Sequence, residues 1–280
     1  APMRPASPSV GRATPAAGPV DPLTPLWRAW RAIHVSSRGR VIDRPQDNVS
    51  HSEGQGYALL VAEALGDRAA FDLILDWTLA NLQVREEDAL LAWRWHPADG
   101  GGATDLNNAS DGDLFAAWAL VRASRTFGEE RYLDLAAAIA ADLAARCLRP
   151  WPGQSEGLLL LPGAEGFESE AGIVVNPAYY MTRALAELGE ATGTPALIAA
   201  AADGNALLAR LTREGLPPDW IMVTPSGFAP AEGKSSDFGY EAMRVPLYLI
   251  WSAMPGHSAV ARAREAYLAF FAEETDLAPT

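Results

Sequence analysis

After residue 22 this chain repeats one texture: an apolar helical stretch, a glycine or cap, then another apolar helical stretch. Residues 67–83, DRAAFDLILDWTLANLQ, place Phe71, Ile74, Leu75, Thr78, Leu79 and Leu82 at helical spacing. Gly66 supplies a stop before them and Asp67 a new N-cap. The same logic predicts helices over 110–127, 129–148, 176–191, 194–213 and 256–274, with Gly128, Gly189 and Gly193 as punctuation. Stretches 23–36, 53–65 and 238–253 bring the number of expected helices to nine. Short β-like pieces occur at 158–161 and 173–175, but alternating strands do not. Helical hairpins at regular intervals predict an all-α ring of helix pairs with its loops gathered at one end.

Residues 1–22 are different. Prolines at 2, 5, 8, 15, 19 and 22 leave no helical periodicity, and little there could offset the entropy of ordering. A flexible leader over 1–22 and one domain over 23–280 are therefore expected. The chain opens on a small residue, as a signal-cleaved protein would, so a periplasmic or secreted location is the expectation. No apolar run reaches the roughly 18 to 20 residues that cross a bilayer, which argues against an integral membrane protein.

Charge narrows the partners. With Lys and Arg totalling 22 against 35 Asp and Glu, the net charge of −13 repels phosphate backbones, so nucleic acid is not an expected ligand. Cys147 is the single cysteine, which excludes an internal disulfide and a cysteine metal cage; it reads as a small buried hydrophobe beside Leu143. His34, His51, His96 and His257 lack metal-ligand spacing, and there is no phosphate loop or G-x-S-x-G elbow. No metal or cofactor is expected.

Three acidic positions stand where loops enter helices. Glu53, in HSEGQGY, would lie in the first turn of a helix capped by Ser50 or Ser52. A charge complement to the helix dipole would suffice there. Gln55 and Tyr57 crowd the same helix mouth with hydrogen-bonding groups, which favours a working acid. Asp111 and Asp113, in ASDGD, precede Leu114, Trp118 and Val121, which would seat the helix rigidly. Asp237, Glu241 and Arg244 share a face if 235–251 is helical, although Pro246 requires the helix to start or bend near it. Trp93, Trp95, Trp151, Tyr179, Tyr180, Trp220, Phe238 and Tyr240 lie in or beside irregular segments. About half are expected to pack in the core; the rest, beside carboxylates, suit the stacking of sugar rings.

Six segments resemble glycoside hydrolase family 8 in order and spacing: SEGQGY at 52–57, AWRW at 92–95, ASDGDLFAAWALVRA at 109–123, NPAYY at 176–180, PPDW at 217–220 and GYEAMRVPLYLIW at 239–251. The branch most similar is the periplasmic endoglucanases that accompany bacterial cellulose synthases. The resemblance implies an (α/α)6 barrel with an open cleft, and hydrolysis of β-1,4-glucan with inversion. Nine visible helices fall short of twelve, and short helices within 84–109 and 149–175 are expected to make up the difference. By motif, Glu53 would be the general acid, Asp111 a sugar-binding carboxylate at the scissile site, Tyr179 a holder of the attacking water and Arg244 an orienting group for the base. The family usually has Asp before A-x-R; here Glu241 stands there as expected base, with Asp237 in reserve. Inversion would place the Glu53 and Glu241 carboxylates about 6.5 to 9.5 Å apart. Tyr57, Trp93, Trp95, Asp113, Tyr179, Tyr180, Trp220, Tyr240 and Arg244 are the expected substrate-binding residues. Loose association with a synthase and a monomeric state are implied as well. A chitosan or xylan hydrolase and a non-catalytic glucan-binding protein are the competing readings.

Overall fold

The computed structural model of the protein describes residues 21–276. The expected leader lies outside these residues except for 21 and 22. Nine helices are present among the described residues: α1 (Thr24–His34), α2 (Ser52–Ala64), α3 (Arg68–Asn81), α4 (Ser110–Phe127), α5 (Glu130–Cys147), α6 (Thr182–Thr192), α7 (Pro195–Leu211), α8 (Arg244–Trp251) and α9 (Ser258–Asp276). Each expected stretch overlaps one of them, with α2 beginning one residue early and α6 and α9 running one and two residues past the expected ends. Gly128 and Gly193 end α4 and α6 in the left-handed conformation, with φ of 73° and 66°, which a Cβ would oppose.

Two helices start later than expected. Residues 177–179 form a 3-10 turn instead of the first turn of α6, because the Asn176 side chain accepts the Ala178 N–H at 2.9 Å. Residues 239–243 form a turn ahead of α8, so Asp237, Glu241 and Arg244 do not share one helical face.

Helices α2, α4, α6 and α8 form an inner group, and α3, α5, α7 and α9 pack against it as the second members of their hairpins. Helix α4 is the centre: every residue from Ser110 to Val121 is buried. Phe71, Phe115, Trp118 and Tyr132 are fully enclosed, each contributing roughly 1.5–3 kcal/mol of transfer free energy or more. Helices α2 and α4 approach closely where side chains are missing. A Cβ on Gly56 would lie 2.8 Å from the Phe115 Cβ, and one on Gly112 would lie 2.1 Å from the Ser52 Oγ. At the opposite end of this pair Glu63 is buried and bonded by Arg122 and the Thr126 hydroxyl, both at 2.6 Å. The contact therefore fixes the helix starts that carry Glu53 and Asp111.

The segments 84–109 and 149–175 hold short strands and one 3-10 turn, not the expected short helices. Strands β1 (Ser50–His51), β2 (Ala92–His96) and β3 (Gly102–Asn108) pair antiparallel in that order, and β4 (Leu148–Pro150) pairs with β5 (Leu158–Leu160). Strands β6 (Glu168–Ser169), β7 (Gly172–Val175), β8 (Ile221–Thr224) and β9 (Gly227–Ala229) make a third antiparallel sheet. Their shortness leaves no alternation to read, and β7 pairs with a strand far along the chain. The strands have a positional role: β1 runs directly into α2, β3 leads to α4, and β7 leads through the 3-10 turn to α6. They thus deliver the chain to the N-termini of the inner helices. Among the described residues no helix is long and apolar enough to cross a membrane.

Candidate active site

The N-termini of α2, α4 and α8 and the turn before α6 border a cavity of about 480 Å³. Glu53, Tyr57, Asp111, Tyr179, Glu241 and Arg244 all line it, with Trp93 and Tyr240 at its sides. Residues separated by nearly 200 positions meet there because the inner helices begin at the same end.

Arg244 is the organising cation. Its Nη1 donates to Glu53 Oε1 and its Nη2 to Glu241 Oε2, so one guanidinium joins the two carboxylates. Burial alone would lower its pKa, but the charges of Glu53 and Glu241 outweigh that and raise it, so it stays cationic. The Tyr57 hydroxyl also donates to Glu53 Oε1, at 2.7 Å, and is itself paired with the Tyr248 hydroxyl. Burial, then the Glu53 charge, pushes the Tyr57 phenol up, which keeps it a donor. Burial likewise pushes Tyr248 up to about 12.

Both donors to Glu53 act on Oε1, so a protonated Glu53 would carry its proton on Oε2. Glu241 is held in the same one-sided way. Its Oε2 takes Arg244 and the Asn176 amide, the latter at 2.9 Å, and these donors leave Oε1 to accept another proton. Asp219 sets the turn that carries Glu241: its Oδ1 accepts the backbone N–H groups of Gly239, Glu241 and Ala242 at 3.1, 3.0 and 2.7 Å.

Asp111 is almost fully buried at the floor of the cavity and accepts the Gly112 N–H at 2.8 Å. Burial, then the nearby Glu53 charge, pushes its carboxyl well above the usual range, against the opposing effects of Arg244 and the Gly112 N–H. Burial, followed by Asp111, Glu241 and Glu53, raises Tyr179 too.

Several expected residues do not reach the cavity. Asp113 is fully buried and accepts the Leu91 N–H at 2.7 Å and the Asn108 amide at 2.8 Å; burial pushes it up to about 7 despite these donors. It holds the 88–91 loop against α4 and cannot meet a ligand. Tyr180 is buried, its hydroxyl accepting the Leu160 N–H at 2.9 Å. Trp95 packs edge-on against Trp77 and under Arg40. Trp220 stacks on Phe167 behind Tyr179, with the Lys234 ammonium 4.5 Å from its ring centre. Asp237 is exposed and does not line the cavity, so the reserve base is misplaced. Gln55 points into the core, accepting the Val41 N–H and donating to Thr78 Oγ1 at 2.7 Å. Cys147 is buried, and burial raises its thiol to about 12.

Asn176, Asp219 and His51 were not singled out as site residues by the sequence reasoning. Asn176 and Asp219 lie inside NPAYY and PPDW, but their partners lie 65 and roughly 20 positions away. The cap of α2 is also not a serine. His51 fills that place, its Nδ1 accepting the Gly54 N–H at 3.1 Å. Ser50 instead donates to the Val41 carbonyl, and the Ser52 hydroxyl has no partner among the described residues. Among the described residues no cluster of His, Cys, Asp or Glu is placed to hold a metal ion.

Residues 16–277 match the family described as glycosyl hydrolases family 8. The chain is 35% identical over 232 residues to an endoglucanase of Cellulomonas uda, covering 82% of this chain and 63% of that protein. It is 36% identical over 229 residues to a probable endoglucanase of Novacetimonas hansenii, covering 80% and 66% respectively. It thus spans less than two thirds of the length of either relative. The solved endo-β-1,4-glucanase of Acetobacter xylinum superposes with a TM-score of 0.77 at 34% identity, over 84% of this chain and 74% of that one. The helical hairpins are those of an (α/α)6 barrel, and the chain belongs to glycosyl hydrolase family 8.

Proposed function

We propose that this protein is an inverting endo-β-1,4-glucanase, with Glu53 as general acid and Glu241 as general base. The observation that carries the reading is the paired anchoring of two carboxylates on Arg244, each held through one oxygen in an open cavity. Glu53 Oε2 would protonate the departing glycosidic oxygen while Glu241 Oε1 takes a proton from the attacking water. Asp111 would hydrogen-bond a sugar hydroxyl at the scissile site, Tyr179 would hold the water, and Trp93 and Tyr240 would stack on sugar rings. The endoglucanase names of two relatives about 35% identical support β-1,4-glucan over other polymers. A location in the periplasm or outside the cell, where such polymer lies, belongs to the same reading. So does a role as a monomer beside cellulose synthesis, which follows from the branch that the chain resembles.

The test is release of reducing ends from carboxymethylcellulose, mixed-linkage glucan, xylan and chitosan, with the first-formed anomer followed by NMR. Cleavage of carboxymethylcellulose with α-anomer formed first is expected. Faster cleavage of chitosan or xylan would move the substrate, binding without cleavage would leave a glucan-binding protein, and a first-formed β-anomer would end the inverting assignment.

Asp219→Ala supplies a separate check on the base. It would leave three N–H groups without their acceptor in the 239–242 turn, at a cost of about 2–3 kcal/mol. Thermal melts should shift down by several degrees, and kcat should fall as Glu241 loses its seat. Asp219→Asn, which retains an acceptor, should recover part of both. A variant with unchanged melt and rate would show that the turn holds itself.

A further inference from the structure

We infer that His51 is a positioning residue for Glu53: its neutral imidazole caps α2 through Nδ1, and Asp43 fixes the tautomer that makes this possible. The inference rests on the proposed role of Glu53 as acid. An N-cap needs a side-chain acceptor, and serine, threonine, aspartate and asparagine supply one unconditionally. Imidazole supplies one only when Nδ1 is bare and the proton sits on Nε2. Here the two nitrogens have separate partners. Nδ1 accepts the Gly54 N–H at 3.1 Å, and Nε2 faces Asp43 Oδ2, also at 3.1 Å. A carboxylate only accepts, so it selects the Nε2–H form.

The surroundings hold this arrangement from both sides. Asp43 Oδ2 also accepts the Gln46 amide at 2.8 Å. Asp43 is bridged to Val49 across a tight loop in which Asp47 and Asn48 have φ of 54° and 57°, a conformation that non-glycine residues seldom adopt. His51 belongs to β1 and pairs with Arg94 of β2, so its backbone is fixed by a strand and its ring by the loop. Gly54 is free of a Cβ where one would sit 3.3 Å from the His51 ring. Glu53 lies between the cap and the N–H that it captures. The direction in which its carboxylate enters the cavity is therefore set by the hydrogen bond that starts the helix.

The test combines three variants with a measurement that needs no activity. His51→Phe preserves ring volume without an acceptor, His51→Ala removes both, and His51→Asn restores an acceptor at the cap. Phe and Ala should lower kcat on cello-oligosaccharides by on the order of tenfold to a hundredfold, with KM within about twofold, because a misplaced acid affects the chemical step. Asn should return most of kcat. Hydrogen exchange at the Gly54 amide should quicken in the Phe and Ala variants and stay slow in the Asn variant. ¹⁵N NMR of the wild-type imidazole should show the Nε2–H tautomer. An Nδ1–H or doubly protonated ring, full kcat in His51→Phe, or an Asn variant as slow as Ala would overturn the inference. A wild-type protein inactive on every glucan would overturn the hydrolase reading instead, while the tautomer and the Gly54 exchange would still decide the cap.

Discussion

Glu53→Gln is expected to lower turnover of β-1,4-glucan by roughly 10² to 10⁴, the usual contribution of a general acid. The amide retains the shape of the carboxyl and an oxygen to accept from Tyr57 and Arg244, but it has no proton to give. The fold should survive, since Arg244 keeps Glu241 as counter-charge and the α2 cap does not involve Glu53. Binding of cello-oligosaccharides, measured by calorimetry, should change little. A substrate with an activated aryl leaving group needs less proton assistance, so the loss on that substrate should be much smaller. This contrast separates an acid from a residue that merely shapes the cavity. If Glu53→Gln turned over cellulose at a near-normal rate, Glu53 would be only the charge complement at a helix mouth, and the binding-protein reading would return.

The helices were legible because apolar spacing and glycine stops are local signals. The pattern from Phe71 to Leu82 and the left-handed glycines at 128 and 193 needed no tertiary information. The meeting of Glu53, Asp111, Glu241 and Arg244 in one cavity was legible through motif order, since alternate helices of such hairpins start at one end. The strands were not, because pieces of two to seven residues acquire their pairing from distant partners. Asp113 shows a limit of spacing arguments. It stands two residues from Asp111 on the same helix start, yet it turns into the core toward Leu91 and Asn108. Asp237 failed for another reason: the Asp219 side chain, outside 235–251, claims the backbone there, so the helix begins at Arg244. His51 was passed over because metal spacing was asked of it, whereas its partner was a backbone amide three residues away.

Glu241→Ala should lose a comparable 10² to 10⁴ in turnover, and it should be open to rescue where Glu53→Gln is not. In the intact protein Asn176 and Arg244 hold Oε2, and Oε1 would take a proton from water as its oxygen bonds to the anomeric carbon. Without Glu241 the water is a poor nucleophile, but Glu53 can still protonate the departing oxygen. Azide carries no proton to lose and fits where a small carboxylate has been removed. It should restore turnover of cello-oligosaccharides and leave an α-glucosyl azide, the product of a single displacement on a β-glycoside. Azide should do nothing for Glu53→Gln on the same substrate, because the leaving group would still depart without a proton. The two variants thus assign the two carboxylates by chemistry rather than by the size of the loss. A β-glucosyl azide, or azide rescue of Glu53→Gln alone, would exchange the roles or require a covalent intermediate. An undiminished Glu241→Ala would show that the base comes from elsewhere. Asp111, whose carboxyl lines the same cavity, would then be the next carboxylate to test, by Asp111→Asn in the same azide assay.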